Sequence, residues 1–231
     1  IEEHYLPQSS EDALPSALEG QIVSVADKLD TLCACLSIGV FPTGSEDPYG
    51  LRRAAHGAVR ILLERDIGPD IRVSELVNLA AEGLSESLAP STQAMDPRPG
   101  VTGLLTERTR QCLLDRGLPR DVVNAAMQPD ANRPREVLQR ATAIDNLLRQ
   151  DERMAALAVA ATRVSNILSA RKAAEDLAKH RGQPDESVLQ EEAERLLYMT
   201  CKKVEEVVSR HGLAVDYGRL LRDLTPLVQP I

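Results

Sequence analysis

Arg52, Arg53, His56 and Arg60 stand at helical spacing, and steps of four and eight put Arg52, His56 and Arg60 in one row on a helix face. A guanidinium is a planar fork of donors that matches a phosphate, so such a row suits phosphate contact; a solvated face paired with nearby acids is the alternative. Arg163 and Asn166, with Arg171 and Lys172 further on, form a second group. Asn and Arg can read base edges and phosphates on an unpaired loop, and again a solvated face is the alternative. Lys202 and Lys203 make a smaller pair open to the same two readings. His4 and Asp27 could offer imidazole and carboxylate to a hard divalent metal. Such a site needs at least one more His and usually an adjacent His-Asp pair, whereas the four histidines, His4, His56, His180 and His211, are never followed by Asp. No metal is expected, and Asp27 and Asp30 read equally well as helix-surface acids. The chain has no phosphate-binding glycine loop of the Walker type, no G-x-G-x-x-G after a strand and no nucleophile elbow, and no Ser or Cys has an obvious His partner. No catalytic residue is assigned.

The elements that must position these groups are helices. Aromatic residues make up 2% of the chain, with no Trp, so the core is built from Leu, Val, Ile and Ala, a mix that suits packed helices better than a β-sandwich. A net charge of −8 makes the chain a poor non-specific nucleic-acid binder, because neutralising phosphates takes clustered Lys and Arg. The aromatic shortage also argues against base-stacking platforms, so RNA contact must come from local basic patches. Cys33, Cys35, Cys112 and Cys201 do not form C-x-x-C pairs and read as reduced thiols, mostly core filler, in a cytosolic protein. There is no run of 18 apolar residues and no signal peptide, so neither a membrane nor DNA is expected as a partner. The first residue is Ile, which suggests a start inside a longer polypeptide.

Ser16 and Glu19 form a capping box ahead of an apolar stripe at Ile22, Val25, Ala26, Leu29, Leu32, Cys33 and Leu36. Residues 38–45 are a loop. Asp47 offers a side-chain cap, with Pro48 at the first helical position, and Leu51, Ala54, Ala55, Ala58, Val59, Leu62 and Leu63 follow as a stripe. A helix covers about 73–84. Pro- and Gly-rich sequence from 87 to 103 predicts a long loop, with an interdomain linker at 96–103. Helices then run over about 104–116, closed by Gly117, over 119–127 and over 134–148. A long helix after Asp151 ends before Gly182, another after Asp185 ends before Gly212, and a last one starts at Asp216. Residues buried on the two long helices would include Met154, Leu157, Ala158, Ala161, Leu196 and Val204.

One series carries more than composition does. Glu3-His4-Tyr5-Leu6-Pro7, Ala26-Asp27-Lys28-Leu29-Asp30-Thr31-Leu32, Ile38-Gly39, Pro42-Thr43-Gly44-Ser45, Asp47-Pro48-Tyr49 and Leu51-Arg52-Arg53-Ala54-Ala55, in this order, resemble the β subunit of bacterial glycyl-tRNA synthetase. Arg163-Val164-Ser165-Asn166-Ile167-Leu168 is similar, more loosely, to the family's anticodon-binding segment. The resemblance implies an all-α chain: the later part of an HD-like helical domain over 1–95, a linker over 96–103, and over 104–231 a C-terminally incomplete helical bundle like the anticodon-binding domain of arginyl-tRNA synthetase. It implies a fragment of a glycine–tRNA ligase that holds glycine tRNA, with Arg163, Asn166, Arg171, Lys172, Arg52, Arg53 and Arg60 as tRNA contacts and His4 and Asp27 as vestigial HD-like positions. It implies an α subunit or α region as partner, with ATP and Mg²⁺ at that subunit's active site and no cofactor in this chain. A metal-dependent HD phosphohydrolase and a helical scaffold that only docks a subunit are the alternatives.

Overall fold

A computed structural model of the chain describes residues 2–9, 11–42, 47, 49–65, 67–68, 71–87, 94–170, 186–209 and 216–228. The described residues are helical, with no strand among them. In order they are a 3-10 turn at Glu2–Tyr5, α1 (Leu18–Ser37), α2 (Leu51–Glu64), α3 (Val73–Ser87), α4 (Arg98–Asp115), α5 (Arg120–Met127), α6 (Pro134–Gln150), α7 (Glu152–Ala170), a 3-10 turn at Glu186–Val188, α8 (Glu192–Ser209), α9 (Tyr217–Asp223) and a 3-10 turn at Thr225–Val228. They divide into two compact units, Ile1–Ala141 and Thr142–Ile231.

In the first unit α1, α2, α3 and α4 pack on one another around Leu29, Leu32, Leu36, Leu51, Val59, Ile61, Val77, Val101 and Leu105. The sequence-predicted stripe of α1 is only partly inside. Val25, Leu29, Leu32, Cys33 and Leu36 are buried, but Ile22 is 50% exposed. The stripe is wider than the face α1 can bury, and Ile22 and Ala26 line an open groove opposite Leu76 and Leu79 of α3.

Two helix starts differ from the sequence reading. The Ser16–Glu19 capping box does not form. Instead Glu3 accepts from the Ser16 amide (3.1 Å), the Ser16 hydroxyl (2.5 Å) and the Ala17 amide (3.0 Å), bonds that hold its carboxyl below the usual range. Asp47 does cap α2, but from farther back: its carboxylate accepts from the Leu51 and Arg52 amides at 2.7 and 3.0 Å. The helix therefore starts at Leu51, after Gly50 at φ +67°, where a side chain would be strained. Pro48 lies outside the described residues.

The expected linker at 96–103 is another departure. From Arg98 these residues are the first turns of α4; Val101 is fully buried, and a Cβ at Gly100 would sit 2.8 Å from Leu36 Cδ2. Pro99 at the front of a helix costs no hydrogen bond, and Gly100 lets α4 approach α1 closely. Pro and Gly here mark a helix start, not a hinge, and the compact unit runs on to Ala141. Gly117, at φ +80°, closes α4 as expected, its amide bonded to the Leu114 carbonyl at 2.9 Å.

In the second unit α8 packs on α9, and the last 3-10 turn packs on both α7 and α8. Asp216 caps α9 through the Arg219 amide at 3.0 Å. Residues 171–185 and 210–215, which the long-helix predictions include, lie outside the described residues. α8 begins at Glu192 rather than near Asp185, with Glu194 accepting from the Gln190 and Glu191 amides. Met154 and Val204 are buried as expected, while Leu196 is 48% exposed and Ala158 and Ala161 are exposed too.

Leu105→Ala is expected to lower the stability of the chain by about 2–5 kcal/mol, the range for a truncated core leucine. Gly103→Ala, whose Cβ would meet nothing within 4 Å on the same helix, is expected to be neutral or stabilising by up to about 1 kcal/mol. Denaturant midpoints check both; a Leu105→Ala midpoint equal to the parent's, or a clearly lowered one for Gly103→Ala, would mean that α4 does not pack as described.

Candidate nucleic-acid interface

His4 and Asp27 are not brought together as a metal site. Asp27 is exposed on α1, and the His4 ring lies 3.9 Å from that of Tyr5. The cation beside them belongs to the protein: Lys28, 6% exposed, whose Nζ donates to the Leu6 carbonyl (3.1 Å), the His4 carbonyl (3.4 Å) and the Ser24 hydroxyl (2.8 Å). Burial pulls the Lys28 pKa below its ordinary value, and the Asp27 charge opposes that pull. Ser24 Oγ in turn donates to the same Leu6 carbonyl at 2.5 Å. α2 closes over this cage at Gly57, where a Cβ would come 2.9 Å from Lys28 Cε and 3.2 Å from the Pro7 carbonyl. No group of three His, Cys, Asp or Glu side chains converges among the described residues, so this donor set does not fit a divalent metal.

The arginine row of α2 fares differently from residue to residue. Arg53 is exposed and turned toward Gly50. His56, on the side of α2 that Arg52 and Arg60 share by their spacing, meets α4. His56 Nδ1 lies 3.5 Å from Cys112 Sγ, a Cys–His partnership across 56 residues that sequence reading did not find. Burial, first, and then the Arg60 and Arg108 charges push the His56 pKa down, while burial pushes the Cys112 thiol up to about 11. Both shifts favour the neutral forms, so the pair is a neutral contact and not a thiolate–imidazolium nucleophile. Arg60 Nη1 donates to the Asp12 carbonyl at 2.9 Å, and its Nε lies 3.5 Å from Glu64. Arg116 of α4 reaches the same Glu64 oxygen at 2.8 Å. These ion pairs are partly exposed and are worth at most about 1 kcal/mol each.

Arg108 and Arg116 are the residues the sequence reading missed. Their signal was there: Arg108, Cys112 and Arg116 repeat on α4 the four-residue spacing of Arg52, His56 and Arg60 on α2. Lys28 was also legible, as a charged residue three and four positions from Val25 and Leu32 on the buried face.

In the second unit Arg163 and Asn166 lie on α7, but their side chains, and Arg171 and Lys172 entirely, are outside the described residues. Lys202 is spoken for: its Nζ is 2.7 Å from Glu186 and 4.4 Å from the centre of the Tyr198 ring. Lys203 is exposed. No helix among the described residues is long and apolar enough to cross a membrane.

A family model described as glycyl-tRNA synthetase beta subunit matches residues 1–128. The chain is 36% identical to the glycine–tRNA ligase beta subunit of Clostridioides difficile (strain 630) over 228 residues, which is 96% of this chain and 31% of that one. It is 35% identical to the beta subunit of the same name from Acinetobacter baumannii (strain ATCC 17978) over 229 residues, 99% of this chain and 32% of that one. With the Aeromonas salmonicida (strain A449) beta subunit it shares 35% identity over 235 residues, covering 100% of this chain and 32% of the relative. The chain thus spans about a third of the length of the curated relatives it matches.

Neutral His56 makes stability depend on pH. Its folded pKa lies below the ordinary 6.5, so the unfolded chain takes the proton first. The stability it contributes is full above about pH 6.5 and is lost as pH falls through the depressed native value. His56→Gln is expected to shrink the loss of stability between about pH 7.5 and about pH 5, measured by denaturant unfolding at both; an unchanged loss would mean that the folded state does not hold the ring neutral.

Proposed function

The chain belongs to the glycyl-tRNA synthetase β-subunit family, and on that premise we propose that it is a tRNA-gripping part of a glycine–tRNA ligase. In this reading it orients glycine tRNA so that the 3′ end reaches the active site of an α subunit or α region, where glycine is activated with ATP and Mg²⁺. The HD-like helical portion lies in the first compact unit, and the anticodon-binding helices are those of the second. Arg163 and Asn166, with Arg171 and Lys172 beyond them, contact unpaired anticodon bases, while Arg52, Arg53 and Arg60 meet backbone phosphates. The protein works in the cytoplasm.

The family match over α1 to α5 carries this reading. The placement of Arg52 and Arg60 on a shared side of α2 supports it, because an acidic chain can hold a polyanion only through a local basic patch. A second reading, a scaffold that only docks another part of the enzyme, is favoured by the open apolar groove between α1 and α3, with Ile22 50% and Leu79 66% exposed.

Arg163→Ala in the complete enzyme is expected to weaken binding of glycine tRNA and to lower its aminoacylation by roughly tenfold or more, the scale of one base contact. Unchanged tRNA affinity and aminoacylation would refute that assignment. If variants at Arg52, Arg60 and Arg163 all bind tRNA like the parent, the scaffold reading takes its place.

A further inference from the structure

The seam between α2 and α4 gathers more cationic chemistry than the fold requires. His56 and Arg60 of α2 and Arg108 and Arg116 of α4 lie along it, against the carboxylates of Glu64 and Asp115. Glu64 is shared by Arg60 and Arg116, at 3.5 and 2.8 Å. Arg108 lies in the seam with its Nε buried and without a hydrogen-bond partner, a condition that the Nε atoms of Arg65 and Arg133, outside the seam, share. A buried guanidinium donor left unmet is rare, because burial takes away water and nothing replaces it. A phosphate oxygen is the acceptor whose charge, size and number of lone pairs suit several guanidinium groups at once.

We propose that this seam is a phosphate-binding site, in which Arg108 supplies the central donor, Arg60 and Arg116 flank it, and the His56 imidazole adds a further contact. The phosphate comes from a polynucleotide backbone or from a small free phosphate, and in the first case the inference rests on the tRNA-handling reading. The sequence-derived set of contacts includes neither Arg108 nor Arg116, and it gives His56 a place in the α2 row but no partner on α4. His56 is also the natural reporter, because an anion arriving beside a neutral imidazole favours its protonated form.

The test is NMR titration of the four histidine rings in the whole chain, without ligand, with inorganic phosphate and with a glycine tRNA transcript. The midpoint of His56 is expected to rise with a bound phosphate, whereas a purely structural His56–Cys112 contact would leave it in place. Arg108→Gln is expected to abolish the rise, to weaken tRNA binding roughly tenfold, the scale of one charge-assisted hydrogen bond, and to reduce the salt slope by about one. Arg116→Gln, at a more exposed position, serves the same purpose if Arg108→Gln fails to fold. Arg72→Gln, which breaks an ion pair with Glu75 on α3, is expected to change none of these. A chain that binds tRNA while His56 and both arginine variants stay indifferent overturns the seam and leaves the tRNA reading standing. A His56 response to inorganic phosphate, with no tRNA binding even in the complete enzyme, supports the site with a small phosphate as its ligand and overturns the tRNA reading.

Discussion

The first unit depends on where it keeps the Lys28 ammonium. A lysine charge is rarely tolerated out of water unless its three N–H donors are all met, and here two backbone carbonyls and one hydroxyl meet them. Both carbonyls belong to the segment before α1, so the charge ties that segment across α1. The tie then dictates sequence elsewhere. Ser24 must carry a hydroxyl because it bonds both Lys28 and Leu6, and Gly57 must lack a side chain because α2 passes over the cage. With α2 fixed there, His56, next to Gly57 in the chain, meets Cys112 of α4, and Arg60 meets Asp12 and Glu64.

How much of this was legible in the sequence follows from the range of each interaction. Helix identity depends on local periodicity, and α2, α3, α5 and α6 lie where the spacing of apolar residues puts them. Asp216 and Gly117 act within a few residues and were equally readable. What failed was set by partners far along the chain. Glu3 supplants a capping box from 13 residues away, and Pro99 and Gly100 read as a linker because their close approach to Leu36 is invisible locally. Ile22 sits on a well-formed stripe yet stays exposed, since a stripe says that a face is apolar and not that something covers it. At the candidate site, the spacing within each half of the seam was legible and the meeting of the halves was not, because it takes the packing of two helices to put Cys112 beside His56.

The same packing decides what chemistry the seam can do. A Cys beside a His suggests a nucleophile, but burial and two neighbouring guanidinium groups hold the imidazole neutral, and burial holds the thiol protonated. Charge stays on the arginines, which cannot give up their protons. The result is a cluster of fixed positive charge around one ring whose charge is suppressed, in a chain whose net charge is −8.

Glu64, held between Arg60 and Arg116, has a consequence of its own. It is a tethered competitor, present at the effective concentration that its short side chain and helix impose, which for a short tether is in the millimolar range. An isolated anion must displace it unaided, whereas a strand held at several points along its length displaces it as one step of a larger engagement. If the seam holds phosphate as proposed, a built-in counterion of this kind makes it a filter for valency, favouring charges that arrive in series over single ones.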